Sequence, residues 1–105
     1  MGSLLYGSAG MEVAFDDRAL THLQLVITAK LRRRESFVFS WTTSVELGSG
    51  RSVIWLDPSS TLFYRYSGSR LPSINRTWIE QLTKSANSPG GLYFSPEPLD
   101  VPRET

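Results

Sequence analysis

The chain has 105 residues, 40% hydrophobic and 20% charged, with a formal net charge of +1, which suits one domain around a single core. It has no cysteine and one histidine, so disulfides and thiolate chemistry are excluded, no metal is expected, and no cofactor motif is present. No apolar run approaches the roughly 18 residues of a membrane span. The opening Met-Gly-Ser-Leu-Leu-Tyr-Gly also lacks the basic and long apolar parts of a secretory signal, so a cytoplasmic protein without membrane contact is expected.

In chain order, Ser3–Tyr6 and Met11–Phe15 read as two short strands joined by Gly7-Ser-Ala-Gly10, a hairpin. Asp16 or Asp17 then caps a helix running to about Arg34, with carboxylates at the positive end of its dipole and Arg32–Arg34 at the negative end. On a helical wheel Ala19, Leu20, Leu23, Val26, Ile27 and Leu31 form one apolar face, while His22, Leu25 and Ala29 fall opposite.

The stretch from Ser36 to Tyr66 carries the strongest pattern. Phe37, Phe39 and Trp41 alternate with smaller residues over Ser36–Thr42, and the same period of two recurs over Arg51–Asp57 and Thr61–Tyr66. Turn chemistry lies between them, in Glu46-Leu-Gly-Ser-Gly50 and Asp57-Pro-Ser-Ser60, so a three-stranded antiparallel meander is expected. A second helix is expected from about Ile74 to Asn87, with Ile74, Trp78, Ile79, Leu82 and Ala86 inward and Arg76, Glu80 and Lys84 outward. Ser88-Pro-Gly-Gly91 stops it, and Leu92–Ser95 adds a last short strand. The whole reads as one α+β domain over residues 1–95, order β-β-α-β-β-β-α-β, followed by a Pro-rich, acidic, frayed tail over 96–105.

Several segments together resemble a known family: Met1–Gly7, His22-Leu-Gln, Ala29-Lys-Leu-Arg-Arg33, Glu35-Ser-Phe37, Gly50-Arg-Ser52, Ile54-Trp-Leu56, Asn75-Arg76, Trp78-Ile-Glu80 and Ala86-Asn-Ser-Pro89. It is a family of actinobacterial proteins of similar length and unknown function, whose members often bear the name ATP-dependent DNA ligase. The resemblance spans nearly the whole chain and implies a nucleic-acid context. The Lys-x-Asp-Gly motif of adenylating ligases is absent, since Lys30 precedes Leu-Arg-Arg and Lys84 precedes Ser-Ala-Asn.

No nucleophile–base pair is visible, so no catalytic residue is assigned and a non-enzymatic module is expected. His22 reads as a helix-surface residue, Asp16 and Asp17 as caps, and Asp57 as a turn former. The basic residues are concentrated: 30–84 holds nine Lys/Arg against four Asp/Glu, and each flank is net acidic. The loop Ser67–Arg76 brings hydroxyls, Arg70 and Arg76 to the start of the second helix, where an anion is favoured, with Arg51 and Arg65 converging from neighbouring strands. Lys30, Arg32, Arg33 and Arg34 form a second candidate phosphate-contacting patch. Trp55, Tyr64 and Tyr66, on one sheet face, would stack nucleic-acid bases. The alternative to a nucleic-acid or other phosphate-bearing partner is a protein-interaction domain, as a homodimer or with another protein, using the spare sheet face or Leu25 and Ala29.

Overall fold

The computed structural model describes residues 1–8, 10–42 and 50–100. The elements are β1 (Gly2–Tyr6), β2 (Met11–Phe15), α1 (Asp17–Arg32), β3 (Phe37–Thr42), β4 (Arg51–Leu56), β5 (Leu62–Arg65), α2 (Arg76–Ala86) and β6 (Leu92–Tyr93). This is the expected order and an α+β architecture. The strands form two three-stranded sheets, β2-β1-β5 and β4-β3-β6. Most of the proposed Glu46–Gly50 turn lies outside the described residues.

The expected meander is only half formed. β3 and β4 pair antiparallel from Phe37↔Leu56 to Thr42↔Arg51, but β5 leaves them and pairs with β1, Tyr6↔Leu62 and Leu4↔Tyr64 among its contacts. The turn between β4 and β5 is closed by its own side chains. The Asp57 carboxylate accepts from the Ser59 N–H (2.8 Å) and hydroxyl (2.6 Å), and its carbonyl from the Ser60 N–H (2.9 Å). A turn closed by its own side chains reverses the chain without requiring its two flanking strands to pair. β5 then completes the free edge of β1, and Leu62 and Tyr64 join Leu4 against the core.

β6 is shorter than expected and runs parallel to β3, Phe39↔Leu92. Gly91 makes that approach possible. Its φ is +84°, and a Cβ there would lie 2.4 Å from both Cγ2 and the carbonyl oxygen of Val38. Only glycine combines that dihedral with that contact.

α1 begins where Asp16 Oδ1 accepts from the Ala19 N–H at 2.7 Å. Its buried face is Ala19, Leu20, Leu23, Val26 and Ile27, as the wheel predicts, with Leu31 half-buried. Between the sheets and helices, Phe15, Phe39 and Trp41 meet ring to ring, with Phe39–Trp41 centroids 5.1 Å apart. Each such buried side chain contributes about 1.5–3 kcal/mol relative to exposure.

Three expectations fail around α2. The helix starts at Arg76 with Asn75 as its cap, so Ile74 precedes it and is 42% exposed. His22 is fully buried, stacked 4.6 Å from Trp78, because α2 packs across the face of α1 that the wheel assigns to solvent. Finally, the segment after Pro96 is docked rather than frayed as far as Asp100. Glu97 bonds Arg18 and Asn75, the Pro98 carbonyl accepts from Asn75, and Asp100 accepts from Thr77. Residues 101–105 lie outside the described residues.

Candidate functional site

The start of α1 organises the polar chemistry of the molecule. Asp17, in its first turn, accepts from the Gly68 N–H (2.8 Å), the Ser67 N–H (3.1 Å) and the Ser67 hydroxyl (3.1 Å). Those bonds, from Gly68 and Ser67 above all, hold its carboxyl below the usual range and clamp the loop after β5 onto the helix. The clamp leaves a cavity of about 130 Å³ lined by Thr21 and Gln24 of α1, Tyr66, and Gly68–Pro72.

The donors of this cavity differ in how they are used. The Thr21 hydroxyl bonds the Asp17 carbonyl at 2.8 Å, and the Tyr66 hydroxyl donates to Gln24 Oε1. With its oxygen so engaged, Gln24 presents an NH₂ that has no acceptor among the described residues. The Arg70 guanidinium and the Ser69 hydroxyl likewise have no partner among the described residues. One full positive charge and neutral donors thus belong to residues that border one small, largely apolar cavity, with Ser69 and Arg70 exposed. That is chemistry suited to an oxyanion.

The start of α2, the other half of the expected anion site, is already filled from within. Arg18 reaches Glu97 through Nε (2.8 Å) and Nη2 (2.6 Å), and its Nη1 donates to the Ser73 carbonyl (2.7 Å). Asn75 Nδ2 donates to the same carboxylate at 2.9 Å, while Asn75 Oδ1 caps the helix by accepting from the Trp78 N–H at 3.1 Å. The Arg18 fork, then the Asn75 amide, pulls the Glu97 carboxyl down to about 2. Beneath it, His22 donates from Nδ1 to the Arg18 carbonyl (2.7 Å) and accepts at Nε2 from the Asn75 N–H (2.8 Å). These roles require a neutral ring with its proton on Nδ1. The anion anticipated near this terminus is thus the chain's own Glu97.

The remaining candidates are dispersed. Arg76 lies apart from Arg70, in an open groove between the helices with Leu25, Ile74, Ile79 and Glu80. Arg51 and Arg65 are both exposed but belong to different sheets, and Arg65 stacks over Phe63 at 5.6 Å. Lys30 is buried, donating to Asn87 Oδ1 (2.9 Å) and Glu35 (2.7 Å), and Arg33 pairs with Glu35 at 3.0 Å. Only Arg32 and Arg34 of that patch face solvent without such a bond among the described residues.

The aromatic trio separates too. Trp55 is exposed on β4 with its indole N–H on Asp57 (3.0 Å), whereas Tyr64 and Tyr66 belong with the other sheet and turn inward. The Tyr64 hydroxyl is buried with no partner among the described residues, and burial raises its pKa. The exposed aromatics on strands are Trp55 (53%), Phe63 (55%) and Tyr93 (44%). Period-two alternation puts Phe63 and Tyr64 on opposite faces, but the expected stacking face took Tyr64 as the outward one; the structure turns Tyr64 to the core and Phe63 to solvent. Tyr93 was not legible, because a two-residue strand carries no period. Among the described residues no group of three His, Cys, Asp or Glu side chains is placed to hold a metal ion.

Fold and cavity together define a small single-domain α+β protein with a small cavity at a helix–loop junction, and among the described residues no helix is long and apolar enough to cross a membrane. Over residues 1–97 it matches the family described as a domain of unknown function, DUF7882, and it belongs to that family. Searches of curated proteins and of solved structures give no match.

Proposed function

We propose that this domain is a non-enzymatic binding module that takes a phosphate group of its partner into the pocket between α1 and the loop 67–72. The observation that carries this reading is the set of unspent donors there, the Arg70 guanidinium, the Ser69 hydroxyl and the Gln24 amide, around a cavity of about 130 Å³. The Arg70 guanidinium, exposed beside this cavity, matches the geometry of a phosphate oxygen pair and is weakly hydrated, so desolvating it costs less than desolvating an ammonium. Single-stranded nucleic acid is the partner class we favour, in the cytoplasm, a reducing compartment in keeping with a cysteine-free chain. The basic excess over residues 30–84 and the exposed Phe63 beside Arg65 support that choice.

The test is an anisotropy titration of labelled single-stranded and duplex oligonucleotides at about 50 mM and 200 mM salt. Saturable binding to the single strand is expected, weaker at the higher salt and lost in Arg70→Ala, with the variant's thermal midpoint unchanged. Arg70→Ala binding as tightly as the parent removes the pocket from the account, and no binding at the lower salt removes nucleic acid.

A further inference from the structure

The loop that borders the Arg70 pocket is tied at its two ends by neighbouring residues of α1. At one end Asp17 accepts from Ser67 and Gly68; at the other, Arg18 Nη1 donates to the Ser73 carbonyl at 2.7 Å. Residues 69–72, between the two ties, line the pocket. The ties differ in what supports them. Asp17 is held by backbone N–H groups of the loop itself. The Arg18 guanidinium is oriented from outside the loop, by Glu97, which takes Nε at 2.8 Å and Nη2 at 2.6 Å and leaves Nη1 aimed at Ser73. A guanidinium is a rigid planar fork, so fixing two of its nitrogens fixes the third. Without that tie the next fixed point is the Asn75 N–H on His22, and the untied stretch grows from 69–72 to 69–74.

We propose that residues 95–100 are a strap that sets this loop through Arg18, fixing it when docked and loosening it when released. The strap is lightly held. Its ion pair is about one-third exposed on both sides, 36% and 33%, where water competes with it, and Leu99 is 88% exposed. Single hydrogen bonds add to it, from Trp78 Nε1 to the Ser95 carbonyl (3.1 Å), Asn75 Nδ2 to the Pro98 carbonyl (2.8 Å) and the Thr77 hydroxyl to Asp100 (3.2 Å). A segment held by exposed bonds with little apolar burial opens far more readily than the whole domain unfolds. Glu97 does not border the pocket, so it is a positioning residue that acts through Arg18. The consequence for a ligand rests on the phosphate reading of the pocket. A loop already fixed loses less freedom on binding, so the docked strap favours the ligand, and the ligand in turn favours the docked strap.

Relaxation of ¹⁵N in the full chain reads the loop with no ligand present. Glu97→Ala is expected to lower the backbone order parameters of Ser69, Arg70 and Leu71 from about 0.85 to below about 0.6, while Leu23 and Val26 in α1 keep theirs. Leu99→Ala, on the strap but exposed, should match the parent throughout. Loop order parameters in Glu97→Ala equal to the parent's overturn the proposal. So does a fall shared by the α1 amides, which marks general loosening. Titration with inorganic phosphate then separates strap from ligand, with the dissociation constant raised at least about threefold in Glu97→Ala. A loosened loop with the parent's affinity overturns the coupling to the pocket. A parent that takes no phosphate removes the ligand reading, and the relaxation result still decides the strap.

Discussion

Replacing His22 with phenylalanine separates the packing of this buried residue from its hydrogen bonding. The ring and its stacking on Trp78 survive, and so does the helical bond to the Arg18 carbonyl, which the residue-22 N–H supplies. What is lost is the acceptor for the Asn75 N–H, now 2.8 Å from Nε2. Asn75 is 2% exposed, so no water replaces that acceptor, and an orphaned buried N–H costs about 1–3 kcal/mol. At about 4 °C per kcal/mol for a domain of this size, the thermal midpoint should fall by roughly 4–12 °C. His22→Ala adds a cavity beside Trp78 and should lose about 3–5 kcal/mol in all. Differential scanning calorimetry of the three proteins at neutral pH measures both steps. A His22→Phe midpoint within about a degree of the parent would refute the reasoning, since it would mean that the Asn75 N–H does not depend on the imidazole.

Three further outcomes are expected. Glu97 has its carboxyl at about 2 instead of the ordinary 4.5, so its stabilising contribution is complete above the ordinary value and is lost as pH falls through about 2. Glu97→Gln should therefore melt below the parent at neutral pH, and the gap should close as thermal scans approach pH 2; a gap that persists there assigns the loss to something other than charge. Gly91→Ala should destabilise by at least about 2 kcal/mol in urea titrations, because the new methyl meets Val38 at 2.4 Å with φ at +84°. A near-neutral result would show that β6 pairs more loosely with β3. Tyr64→Phe removes a buried hydroxyl with no partner among the described residues and should raise stability by about 1 kcal/mol, whereas a fall would reveal a bound water.

What the sequence revealed and what it hid follow one physical line. Local patterns were legible: the period-two strands, the Asp16 cap and the inward stripe of α1 are set by neighbours a few residues away. Partners distant in the chain were not. Nothing near Thr61–Tyr66 says that it will pair with β1, and the wheel puts His22 outside because it cannot foresee α2 crossing above it. The same gap affected the site. Arg70 and Arg76 look like one cluster in the loop, yet Asp17 folds the first against α1 while the second opens onto the helix groove. The anion expected near the start of α2 is supplied from 22 residues downstream of Asn75, by a tail that composition alone marks as frayed.

The claim on which the functional reading rests is that the Arg70 pocket seats a phosphate group, and amide chemical-shift mapping tests it most directly. Titrating the ¹⁵N-labelled protein with inorganic phosphate should shift the backbone amides of Ser69 and Arg70 and the side-chain amide of Gln24, saturably and together, and Arg70→Ala should abolish the response. Shifts spread evenly over the surface arginines, or a response that survives in Arg70→Ala, would contradict it.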